Sequence, residues 1–170
     1  NHPVTLSYDN GKGLVFTRTI AVDDHYLFSI KDQVQNKSGG PVTLSPYGLV
    51  SRHGTPEVLG YYILHEGPIG VMGDQGLQEV TYKKLVEQKA GSSPNCAVQY
   101  CWDVTNAWLG FTDKYWATVL LPDPDAKVKA RFSASEVGGE QIYQTDYLAA
   151  AQTIAPGGSA SVNAKLFAGA

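Results

Sequence analysis

Proton-transfer chemistry needs imidazole or carboxylate groups that converge. The chain carries four histidines, namely His2, His25, His53 and His65. His65 has a carboxylate beside it, Glu66. A general acid and base could be built from that pair if both groups reached one substrate. Successive residues of a strand point to opposite faces, so the two act together only on a loop; on a strand, His65 is a turn residue next to a solvated carboxylate. His2 lies at a terminus, and no HExxH and no i,i+2 or i,i+4 histidine pair exists, so zinc has little support. Asp23, Asp24, Asp123 and Asp125 offer oxygen ligands. A calcium site needs six to eight of them, and aspartates in turns are commoner.

No GxSxG, P-loop or GxGxxG occurs. Gly67–Gly73 is glycine-rich but lacks a lysine and a following helix. No cofactor is expected. Cys96 and Cys101 are too few for a four-cysteine zinc site. In one straight strand they would lie on opposite faces about 17 Å apart, whereas a disulfide needs Cα atoms within about 7 Å. A bend after Pro94-Asn95 permits a bond; otherwise the two are small buried apolar residues. Trp102, Trp108 and Trp116, with Tyr61, Tyr62 and Tyr115, line either an aromatic groove for a sugar or peptide or, more commonly, the core and its edges.

These residues sit on short two-faced segments. Val4, Leu6 and Tyr8 alternate with polar residues, and Leu14–Val22 alternates likewise beyond Asp9-Asn10-Gly11-Lys12-Gly13, so the two read as a hairpin. Tyr26, Phe28 and Ile30 give a third strand. Val42 and Leu44 restart the pattern, with Pro46 placing that strand at an edge or bulge. Leu77–Leu85 carries Val80, Tyr82 and Lys84 on one face, and it ends as a strand or one helical turn. Glu87–Asn95 reads as a disordered loop. Val98–Val104, Ala107–Phe111, Tyr115–Leu121, Ile142–Leu148 and Val162–Leu166 are further strands. Lys127, Lys129 and Arg131 alternate with Val128, Ala130 and Phe132; this is a solvated face or, on a sharper reading, a weak site for anionic lipid headgroups. No helical period exceeds two turns, and no long repeat is present. The fold class is all-β, an antiparallel sandwich.

A chain of 170 residues makes one domain, residues 1–170, and buries about 70% of its unfolded surface. Its net charge of −3 gives no basic face for nucleic acid. No apolar run approaches the roughly 18 residues of a membrane span. The chain opens Asn1-His2-Pro3 and has a single methionine, Met72, which reads as an excised or processed piece and leaves room for flanking segments, membrane spans among them, in the longer product.

Several strings identify a resemblance. They are Gly48–Gly54 (GLVSRHG), Gly60–Gly67 (GYYILHEG), Gly73–Leu85 (GDQGLQEVTYKKL), Ala107–Leu121 (AWLGFTDKYWATVLL), Tyr143–Leu148 (YQTDYL) and Ala164–Ala170 (AKLFAGA). Together they resemble the large periplasmic domain of YidC-type membrane protein insertases, in the alphaproteobacterial branch. The likeness runs through nearly the whole chain and is weakest over Glu87–Asn106. It implies a galactose-mutarotase-like β-supersandwich in which several family strands precede the one matching Val4–Tyr8, so that a hydrophobic edge is exposed here. It implies the periplasmic face of the bacterial inner membrane, an oxidising compartment suited to a Cys96–Cys101 bond. It implies a non-catalytic interaction role in inserting and folding membrane proteins, alone or with the Sec translocon. The implied partners are substrate membrane proteins and the SecD and SecF accessory subunits, and the proposed contact surface is Arg52, His53, Tyr61 and Tyr62. The competing expectation is a carbohydrate-binding or mutarotase-like domain using His53, His65 and Glu66.

Overall fold

A computed structural model describes residues 2–57, 64–92 and 94–170 of the chain. Local turn chemistry sets the first three strands. Asn10 Oδ1 accepts from the backbone N–H groups of Lys12 and Leu14, and reverses the chain between β1 (Val4–Asp9) and β2 (Leu14–Val22). Asp23 does the same for the next turn, accepting from His25 and Leu27 N–H, and β3 (Leu27–Asn36) follows. Tyr26 belongs to that turn and not to the strand. Asn36, fully buried, donates to the carbonyls of Gly40 and Ile154 and accepts from Ser38 N–H. It ties the end of β3 to a two-stranded ribbon of β4 (Val42–Leu44) and β13 (Gln152–Ile154).

Beyond Pro46, β5 (Tyr47–His53) begins. Then come β6 (Gly67–Met72), β7 (Leu77–Glu79) and helix α1 (Tyr82–Glu87). The segment expected to be a strand or one helical turn is both in succession, β7 and then α1. Thr81 caps α1 by accepting from Lys84 N–H, and Tyr82 and Leu85, three apart, are its buried positions. Helical spacing wins because both side chains reach the core from one face. The loop expected to be disordered is hydrogen-bonded: Gln88 Nε2 donates to Ser92 Oγ, and Gly91 N–H donates to Val98 O.

The remaining strands are β8 (Tyr100–Val104), β9 (Ala107–Asp113), β10 (Trp116–Pro122), β11 (Val128–Val137), β12 (Glu140–Ala149) and β14 (Ser159–Gly169). They form an eight-stranded sheet of order β1-β2-β3-β14-β10-β9-β6-β7 and a four-stranded sheet of order β5-β12-β11-β8. Every pairing is antiparallel. The last strand, β14, bonds to β3 on one side and β10 on the other, so the large sheet closes only when both chain ends are in place.

The core lies between the sheets. Met72, Leu109, Phe111 and Leu120 of the large sheet meet Val128, Ala130, Phe132 and Tyr143 of the small one, with Tyr82 and Leu85 of α1 closing one side. The cover is partial. On β1, β2, β3 and β14 the same inner face continues as Leu6, Tyr8, Phe16, Val34 and Val162, and lines an open groove of about 370 Å³. Val4, Leu6 and Tyr8 of the edge strand are exposed. The architecture is the expected all-β sandwich.

Candidate functional site

Arg52 and His53, two of the four residues expected to meet a partner, end strand β5, which is an edge of the four-stranded sheet. Alternation sends them apart. His53 is exposed, whereas Arg52 is half-buried, with Nε donating to Asp113 Oδ2 at 3.1 Å and Nη1 donating to His53 O at 2.8 Å. Asp113 also accepts from the Tyr82 hydroxyl at 2.6 Å. Tyr82 packs edge-on against Tyr143, ring centroids 4.6 Å apart, and the Tyr143 hydroxyl bonds Thr55 Oγ1 at 2.6 Å. One hydrogen-bonded chain thus joins β5, β9 and α1, and the ring contact with Tyr143 adds β12. Burial, and then the bond to Asp113, push the Tyr82 hydroxyl far above the ordinary tyrosine range, so it stays a neutral donor. Tyr61 and Tyr62 lie outside the described residues.

The outward positions of β5 are Tyr47, Leu49, Ser51 and His53. Tyr47 and Leu49 are exposed, and Leu148, the register neighbour of Tyr47, is exposed beside them. Behind this apolar patch Asp146 is buried and accepts from Arg131 Nε and from Gln144 Nε2. Gln144 also donates to Tyr47 Oη at 3.0 Å, which fixes the ring at the edge. Such a pair holds together because the carboxylate trades water for a charged donor and an amide.

The other expected groups are spent locally. The His65 ring bonds Pro68 O at 3.0 Å; His65 lies in the loop that leads into β6 of the large sheet, whereas His53 ends β5 of the small one. The alternation of Val128, Ala130 and Phe132 inward holds. The cationic face is not free, however. Arg131 serves Asp146, while Lys129 lies 3.7 Å from Asp103 and donates to Asn95 O, so the lipid-headgroup reading loses two of its three cations. Asp23 and Asp123 cap turns. Among the described residues no cluster of three His, Cys, Asp or Glu is placed to hold a metal ion. Trp102 stacks on Tyr100 and meets Phe132 edge-on, which is packing. Trp108 faces a second groove with Lys31 and Lys165.

Cys96 and Cys101 are bonded, with Cα atoms 5.6 Å apart. The bend comes from Asn95 at φ 61° and from a strand that begins only at Tyr100. The alternative of two buried thiols is thereby overturned. Sequence reasoning passed over Asp113; its position in Thr112-Asp113-Lys114, at the end of an apolar strand, was the available signal.

A family profile described as the YidC periplasmic domain matches residues 1–170. The membrane protein insertase YidC of Nitrobacter hamburgensis is 62% identical over 168 residues, which is 99% of this chain and 26% of that protein. That of Bradyrhizobium diazoefficiens is 57% identical over the same share, 99% of this chain and 26% of its own length. That of Beijerinckia indica is 51% identical over 99% and 26%. The chain therefore spans about a quarter, 26%, of the curated relatives it matches. Among solved structures, a galactose mutarotase-like protein from Lactobacillus casei superposes with a TM-score of 0.54 at 9% identity, covering 98% of this chain and 69% of that one. At that identity the likeness is one of fold alone.

Proposed function

The chain belongs to the YidC periplasmic domain family, and from that premise we propose that it is a non-catalytic interaction domain of a membrane protein insertase. Its partners enter along the open edge of β5. The observation that carries this reading is the edge itself: Tyr47 and Leu49 face outward and are exposed on a strand with no neighbour on that side among the described residues. Exposed aromatic and aliphatic groups rimmed by polar ones are the chemistry of protein contacts, and a free edge offers backbone donors and acceptors as well.

Arg52, His53, Tyr61 and Tyr62 extend that surface in sequence. The whole protein would act at the periplasmic face of the inner membrane on substrate membrane proteins. SecD and SecF are the proposed contacts at this edge. The Arg52–Asp113–Tyr82 network supports a structural use of these polar groups, since each is bonded to another side chain of the fold.

A photo-crosslinking residue at Leu49 of the full-length protein tests the reading. Adducts to SecD or SecF from Leu49 and His53, absent from an exposed position such as Lys83 on α1, are expected. Adducts at Lys83 but none along β5 would remove the proposal.

A further inference from the structure

Four described non-glycine residues have positive φ: Asn95, Asn106, Tyr26 at 61° and Tyr115 at 79°. Asparagine is at home in the left-handed region and tyrosine is not. Both tyrosines occupy turn tips and are largely exposed, Tyr26 at 59% and Tyr115 at 78%. They therefore bear backbone strain while contributing little to the core, and strain kept at exposed turn tips points to function.

The two turns lie at one end of the large sheet. Tyr26 O accepts from Ala168 N–H, and the ring covers Gly169, whose added Cβ would stand 3.1 Å from Tyr26 Cβ. Gly169 pairs with Ala117, next to Trp116, which is also exposed, and to Tyr115. Two strands further on, Thr112 Oγ1 donates to His65 O, beside Leu64 at 69% exposure. Tyr26, Trp116, Tyr115 and Leu64 thus follow one rim from β3 to β6, about 20 Å at the usual strand spacing. Lys114 lies 5.2 Å above the Tyr115 ring, while Asp23, Asp24 and Glu66 belong to the same loops, so the rim carries no net cationic field.

Amphipathic rings with a polar tip, gathered on one edge without a basic patch, suit the headgroup layer of a bilayer. We infer that this rim seats the domain on the interfacial layer of a lipid membrane, with Tyr26, Tyr115 and Trp116 entering it. The inference stands apart from the β5 proposal, since the cross-links above do not read lipid contact.

The test is partition of the 170-residue chain into phosphatidylcholine vesicles, with Trp116 emission read against brominated lipid. The parent should pellet with vesicles, and the quenched emission should vanish in Trp116→Phe. Adding a quarter of phosphatidylglycerol should change partition less than twofold, because the contact is not ionic. Tyr26→Gly and Tyr115→Gly relieve the left-handed backbone; each should melt at or above the parent temperature yet partition at least fivefold less. A parent that stays in solution, glycine variants that bind like the parent, or binding that requires anionic lipid would overturn the inference. So would a marked drop in melting temperature for Tyr115→Gly, which would make its ring a packing group.

Discussion

Tyr82 joins the helix to the large sheet through its hydroxyl, and through Asp113 to Arg52 of the small one. Asp113 accepts from Tyr82 at 2.6 Å and from Arg52 at 3.1 Å, so a carboxylate inside the sandwich keeps two donors. Tyr82→Phe leaves Asp113 with one of them, and the expected loss is about 1–3 kcal/mol in urea unfolding at pH 7. The alkaline limb should change as well. The folded Tyr82 pKa lies above its ordinary 10.0, chiefly through burial. Its stabilisation is therefore complete below about pH 10 and is lost as the pH rises above that toward the folded value. Tyr82→Phe should flatten the fall in stability above pH 10 by up to about 1.4 kcal/mol per pH unit. Some fall remains, because burial also raises Tyr147. An unchanged alkaline slope would show that the phenol titrates freely in the fold. At the β5 edge the same geometry separates two uses of neighbouring residues. Truncating half-buried Arg52 disturbs Asp113, whereas truncating exposed His53 tests partner contact alone.

Strand β9 shows how closely the elements approach. A Cβ on Gly110 would stand 1.9 Å from Thr118 O and 2.7 Å from Val119 Cα on β10. Backbone cannot yield as a side-chain tip does, so Gly110→Ala should cost about 3 kcal/mol or more. Gly39→Ala, which meets nothing within 4 Å, should stay within about 0.5 kcal/mol of the parent; equal urea midpoints for the two would contradict the packing described. Reducing Cys96–Cys101, five apart in sequence, should cost about 2 kcal/mol on loop entropy, measured with and without a thiol reductant. The local half of this fold was legible: period-two alternation placed β1, β2, β10 and β11, and Asn, Asp and Gly placed their turns. Helix α1 was legible only as one of two alternatives, strand or helical turn, because fewer than two turns carry no period and only the core contact of Tyr82 and Leu85 decides between them. The Arg52–Asp113 pair, 61 residues apart, and the place of β14 between β3 and β10 are long-range facts that no window of sequence encodes. A tyrosine at positive φ is likewise invisible beforehand, since its residue type argues against that conformation.

The two sheets differ in extent: the four-stranded sheet covers β10, β9 and β6, while the inner face of β1, β2 and β3 continues past it. That continuation is apolar except for Asn36 at the end of β3 and the Arg18–Asp32 pair, which bonds to itself at 2.7 Å through both carboxylate oxygens. A sheet face of Leu6, Tyr8, Phe16, Ile20, Ile30 and Val34 is the pattern of a covered face, and exposed patches of this kind mark contact sites or association. The mutarotase-like structure of which this chain covers 69% shows that the fold accommodates more polypeptide than these 170 residues. On its own, then, the chain should bind an apolar dye such as ANS in its folded state and associate reversibly at micromolar concentration in sedimentation. Amides of β1, at the edge, should exchange fast, while those of β9, bonded on both sides, should exchange near the rate of global unfolding. Leu6→Lys with Tyr8→Lys tests the assignment. Both side chains are exposed, so the pair should cost no more than about 1 kcal/mol together. It should weaken both dye binding and association. A folded chain that is monomeric and dye-silent before substitution would show that the half-buried residues beneath β1 already satisfy this face.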